Sequence, residues 1–278
     1  MSINRKLAYF ILSIVYFLFL YLIYTRNGII THNEAEKYIL AARELSNGNI
    51  EYTFTHHLFY SSYIFFVAIF TQLEGINSVI LAQACLTFYS AICIHKTILL
   101  FTDKEVAAYA GMLLFLVSYP LQLWVLTLFS DAFFVALISI TLFYTVKQKT
   151  KHELLFWAFL IILLVFARPP GIFLSTAYFI YYLFQNRFLK KTQLFVTTVI
   201  LFLLLFLALF FLPVGTKDYI KPIAAGAIIV NQPDYNIPHF NAIEKSNILS
   251  AYQYLNAERG SFYIFNLYIK KILSFFTL

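Results

Sequence analysis

Apolar residues gather along this chain into long runs separated by short polar or basic breaks: Leu7 to Tyr24, Ser78 to Ile94, Val106 to Leu128, Ala132 to Val146, Leu154 to Ala167, Gly171 to Phe184 and Thr192 to Leu212. Such runs predict helices that cross a bilayer, although several fall short of the roughly 20 residues that a hydrocarbon core about 30 Å thick asks for. As one helix, Leu154 to Phe184 would measure about 46 Å, so Arg168-Pro169-Pro170 is read as the tip of a hairpin, where prolines deny the backbone its helical donors. Arg5 and Lys6 ahead of the first run have the layout of a signal peptide. Tyr24-Thr25-Arg26-Asn27 offers no small-residue cleavage pattern, and the run is read as a retained first span.

Leu58 to Phe70 is apolar but short, and charge parity decides how it is read. If it stays out of the bilayer core, Arg5/Lys6, Lys96/Lys104, Lys147/Lys149/Lys151 and Arg187/Lys190/Lys191 all fall on one side, which the positive-inside rule makes cytoplasmic. If it crosses, the last three clusters land outside. It is therefore expected to be an interfacial or re-entrant helix. An all-α bundle of about seven spans follows, a single membrane domain over 1–278 with the N-terminus inside and the C-terminus outside. Its two sizeable outer segments are 25–77 and 213–278. Within the second, Ser261 to Leu278 reads as a helix on the outer interface or as a truncated eighth span.

Composition agrees. The 278 residues are 61% hydrophobic, 20% aromatic and only 12% charged, more apolar surface than a soluble domain of that length can bury. The net charge of +7 comes from short basic groups between apolar runs, which argues for cytoplasmic loops and against nucleic acid. Cys85 and Cys93 share one run about two helical turns apart, too far for a disulfide.

A few polar residues stand out. Ile39, Ala42 and Leu45 at helical spacing predict a short amphipathic helix that starts at Glu34 and stops at Gly48, just beyond the first span. Glu34 at its start either complements the helix dipole or serves a site. Asp131 stands between two long apolar runs, where a charge is costly unless it faces a cavity, a partner or a helix N-terminus; Ser130 is the alternative cap. Arg168 at the hairpin tip can bind phosphate, pair Asp131 or snorkel. His56 and His57 precede the interfacial helix, a pair open to a structural, metal or substrate role. His95 and Lys96 are read as snorkelling at the inner end of the second span. The chain lacks a GxGxxG, a P-loop, an HExxH and cysteine/histidine ligand spacing, so an activated substrate is expected to arrive through lipid.

Glu34, Tyr38, Ala42, Leu45 and Gly48, directly after a first span, resemble the first outer loop of the GT-C superfamily of membrane glycosyltransferases, which includes protein O-mannosyltransferases and the lipid A aminoarabinose transferase. Ser130-Asp131 resembles that family's second acidic motif. Ala167-Arg168-Pro169-Pro170-Gly171 resembles the turn after its fifth span, and Leu58 to Phe70 takes the place of its juxtamembrane helix. Glu34 stands where the family more often carries Asp, and seven spans are fewer than its members commonly have, as in a compact or truncated member.

The resemblance implies transfer of a sugar from a polyprenyl-phosphate carrier to a glycan, lipid or protein acceptor, in a bacterial inner (plasma) membrane and at its outer face. It makes Glu34 and Asp131 the catalytic candidates, with Glu34 as base. Arg168, His56, His57, Tyr38, Lys217 and Lys221 become candidates for binding substrate or phosphate. A divalent metal ion held by Asp131, with Glu34, is the one cofactor to consider. From other classes, a lipid-linked-glycan translocase, an assembly partner or an inactive homologue fits a membrane chain of this size; a polymerase or acyltransferase would lead with outer Arg or His clusters.

Overall fold

The computed structural model describes residues 5–32, 34–147 and 150–185, with 253, 255–257, 259–266 and 269 near the C-terminus. By internal contacts the chain divides into two compact units, one of Met1–Thr53 and Phe59–Phe195, the other of Phe54–Leu58 and Val196–Leu278. Among the described residues the regular structure is helical and no strand forms; Ile30 and Thr127 make an isolated bridge.

The helices are α1 (Arg5–Asn27), α2 (Glu34–Ser46), α3 (Ile50–His57), α4 (Ser61–Glu74, led by a 3₁₀ turn over Leu58–Tyr60), α5 (Ile76–Thr102), α6 (Glu105–Leu116), α7 (Tyr119–Val125), α8 (Ser130–Val146), α9 (Lys151–Val165) and α10 (Gly171–Gln185). The amphipathic helix at Glu34 forms as expected and ends before Gly48, whose φ of +87° suits glycine.

Among the described residues two helices are long and apolar enough to cross a membrane, α1 and α5, at roughly 35 and 40 Å. A third crossing results if α6 and α7, bent by 57°, count as one. The seven expected spans are therefore met only in part: α8, α9 and α10 have 17, 15 and 15 residues, short of the usual length, and Thr192 to Leu212 lies outside the described residues.

The bend in the third run has a local cause. Pro120 sits in the first turn of α7, where its ring excludes the carbonyl four residues back, that of Leu116, at which α6 ends. The break frees the carbonyl of Phe115, and the buried Gln122 amide donates to it at 3.0 Å. Non-helical backbone beyond α7 is satisfied by a second buried amide: Gln83 of α5 donates to the carbonyls of Val125 (2.9 Å) and Thr127 (3.3 Å) and accepts from the Tyr63 hydroxyl at 2.7 Å. Irregular backbone inside an apolar bundle is stable only when protein groups answer it in this way.

α4 and α5 form a hairpin around Gly75, whose φ of 72° and ψ of −148° are open to glycine alone. The first turn of α4 meets Gln83, while its last turn meets Ser46 through Gln72 and the start of α5 through Ser78. α4 thus runs beside α2, with the same polarity.

The charged side chains separate toward the two ends of α1. At the Arg5 end stand Glu105, His95, Lys96 and Lys147. At the Asn27 end stand Tyr119 and, just beyond, the Ile30–Thr127 bridge that leads into Ser130 and Asp131. Lys96 is exposed, with its ammonium over the Phe143 ring. His95, expected to snorkel, is instead fully buried, with Nδ1 3.0 Å from the Tyr9 hydroxyl; packing of α1 and α6 over α5 covers it.

Candidate functional site

Four chain segments converge at the Asn27 end. α2 contributes Glu34, Lys37 and Tyr38, the 3₁₀ turn contributes Tyr60, the start of α8 contributes Ser130 and Asp131, and the α9–α10 turn contributes Arg168. The turn is fixed by its own backbone: Gly171 N–H donates to the Arg168 carbonyl at 2.8 Å, and the Ser62 N–H in the first turn of α4 donates to the Phe166 carbonyl at 3.0 Å. Gly171 is required there because a Cβ would collide with the Leu164 carbonyl. The open donors at one helix start thereby answer the open acceptors at another helix end.

Of the roles open to Asp131 and Arg168, the structure selects their pairing. Arg168 donates through Nη1 to Asp131 Oδ1, with 26% and 24% of the two side chains exposed. Neither Ser130 nor Asp131 caps α8, whose N-cap is Phe129 with no side-chain cap bond. Ser130 is buried, and its hydroxyl lies 3.1 Å from that of Tyr38. Glu34 Oε1 accepts from Lys37 Nζ at 3.1 Å, and the same ammonium lies 4.9 Å from the centre of the Tyr38 ring and 5.0 Å from that of Tyr60. Tyr38 packs edge-on against Tyr63, 5.0 Å between ring centres.

These groups feel one another. Burial is the main reason the Tyr38 phenol is pushed above its ordinary pKa, with the Ser130 hydrogen bond opposing and the charge of Glu34 adding to the rise. Burial works against the Arg168 charge, but Asp131, with Tyr60 next, outweighs it and raises the guanidinium above its usual value. Tyr38 therefore stays neutral and Arg168 stays charged.

His56 and His57 end α3 in the second unit, their rings 6.3 Å apart. Lys217 and Lys221 lie outside the described residues. Among the described residues no group of three or more His, Cys, Asp and Glu stands together; Asp131 is matched to Arg168 and Glu34 to Lys37. Sequence reasoning passed over Lys37, Tyr60 and Gln83. Lys37 was detectable as a cation three residues after Glu34, and Gln83 as a lone amide inside an apolar run.

Among the described residues, fold and site together define an all-helical protein, with helices able to cross a membrane, that collects two acids, two cations and three tyrosines where α2, α4, α8 and α10 begin. No protein-family model matches the chain, and no curated protein or solved structure matches it.

Proposed function

We propose that this protein is a membrane glycosyltransferase that moves a sugar from a polyprenyl-phosphate carrier to a glycan, lipid or protein acceptor at the outer face of a bacterial plasma membrane. The GT-C-like motifs at Glu34, Asp131 and Arg168 motivate the reading. The observation that carries it is the gathering of those three side chains at one end of α1, with the basic residues Arg5, Lys96 and Lys147 at the other. On this reading seven spans place the basic end in the cytoplasm, and α2 to α4 lie at the outer surface.

Glu34 takes the proton of the acceptor hydroxyl as the acceptor oxygen bonds to the anomeric carbon. The bond from that carbon to the carrier phosphate breaks, and the electron pair leaves with the phosphate. Arg168 faces the charge that grows on the departing phosphate, with guanidinium donors beyond the one given to Asp131. Asp131 is a positioning residue that fixes the guanidinium, and the paired arginine supplies a cation at this position.

Lipids extracted from cells lacking the gene, read by mass spectrometry, test the reading: a polyprenyl-phosphate monosaccharide should accumulate, and wild-type protein should clear it. Glu34→Gln and Asp131→Asn should fail to clear it while reaching normal membrane abundance. Clearance by both variants, or no change in any such lipid on deletion, sinks the assignment and leaves a non-enzymatic membrane protein.

A further inference from the structure

At the opposite end of the bundle from Glu34, a pocket of about 600 Å³ opens between α1, α5 and α8, and we infer that it holds the phosphate headgroup of an anionic phospholipid from that leaflet. Three cations line it, Arg5, Lys96 and Lys147, with Asp103 and Glu105 on the wall. Two of the cations are matched: Arg5 donates to Glu105 at 2.6 Å, and Lys147 donates to Glu153. Lys96 has no acidic partner among the described residues. Its ammonium lies 5.6 Å from the centre of the Phe143 ring and that of Lys147 lies 5.8 Å from the same centre, so two positive charges flank one ring at the pocket floor.

A lipid fits this lining better than a free anion because apolar side chains stand among its cations. Leu99 and Leu100 line it beside the cations, and Leu100 is 54% exposed. A phosphate over Lys96 and Lys147 lets an acyl chain cover Leu99, Leu100 and Phe143, which a free anion leaves bare. The zwitterionic head of phosphatidylcholine carries its own cation and gains less from this site. The inference stands apart from the transferase reading and does not use the Glu34 end.

The test is native mass spectrometry of the full-length protein in detergent, titrated with phosphatidylglycerol, phosphatidylcholine or inorganic phosphate. Phosphatidylglycerol is expected to bind wild type in preference to the other two. Lys96→Gln should weaken it about five-fold, the effect of about 1 kcal/mol for one lysine near anionic lipid, and Lys96→Arg should keep it. Lys151→Gln removes a cation at the start of α9 that does not line the pocket, and it should bind as wild type does. Equal binding of phosphatidylcholine or phosphate, an unaffected Lys96→Gln, or equal weakening by Lys151→Gln overturns the site.

Discussion

The hydroxyls of Tyr38 and Ser130 lie 3.1 Å apart with both residues buried, joining the first turns of α2 to the first turn of α8 across 92 positions of sequence. One contact therefore ties the helix that begins at Glu34 to the helix that carries Asp131. Had the apolar segment after Leu58 taken the chain to the far end of the bundle, these helix starts could not meet.

Tyr38→Phe should cost about 1–2 kcal/mol, because the ring keeps its packing on Tyr63 while the Ser130 hydroxyl loses its partner in a buried place. Thermal unfolding in detergent measures it. Ser130→Ala with Tyr38→Phe should cost less than the sum of the two single changes, since the second removes a group already left unpaired. Additive losses would mean the two hydroxyls act independently.

The Asp131–Arg168 pair is about a quarter exposed, between the surface pairs that contribute little and the buried pairs whose breaking costs several kcal/mol. A double-mutant cycle with Asp131→Asn and Arg168→Gln should return a coupling of about 1–3 kcal/mol in unfolding. Arg168→Lys keeps the charge but not the planar fork and should recover only part of it. A coupling near zero would leave Asp131 with no role in holding the guanidinium.

How much of this was legible in the sequence depended on the kind of signal. Hydrophobic runs located the helices, and Gly48 and Arg168-Pro169-Pro170 marked where helices stop, because these are local properties of backbone and composition. The seam between Tyr38 and Ser130 was not legible, since a buried tyrosine in an aromatic-rich chain looks like any other. The split of the third run has a visible cause in Ser118-Tyr119-Pro120, which an average hydropathy over Val106 to Leu128 passes over. Lys37 entered the cluster through the 3₁₀ turn that brings Tyr60 over it, a placement that tertiary packing alone decides.

The turn between α8 and α9 should be acid-sensitive. Glu153 accepts from Lys147 and closes a capping box with Thr150, through Thr150 N–H at 3.0 Å and back from Glu153 N–H at 3.4 Å. The Lys147 hydrogen bond is the largest of the effects that hold this carboxyl below its ordinary value of 4.5. A carboxyl with a lower pKa in the fold than in the unfolded chain stabilises fully above its ordinary value, and that contribution fades as pH falls through the depressed one. The stability gap between wild type and Glu153→Gln, read by thermal unfolding, should therefore narrow below about pH 4.5. A gap unchanged by acid would remove Glu153's ionisation from the stability of this turn.

Gln83→Leu should be the most damaging change to the bundle outside the candidate site. The amide donates to the carbonyls of Val125, which ends α7, and of Thr127 beyond it and accepts from the Tyr63 hydroxyl, so leucine of similar size would strand the Val125 and Thr127 carbonyls and the Tyr63 hydroxyl together. Each buried unpaired group costs about 1–3 kcal/mol, but water entering an opened seam recovers part, so a loss of about 2–5 kcal/mol is expected, with lower membrane abundance. Tyr63→Phe strands only the Gln83 oxygen and should cost about 1–2 kcal/mol. Because Ser130 follows that stretch directly, Gln83→Leu should also loosen the start of α8, and amide hydrogen exchange at 126–131 should quicken in Gln83→Leu and stay near wild type in Tyr63→Phe. Equal exchange in the two variants would separate the seam from the placement of Asp131.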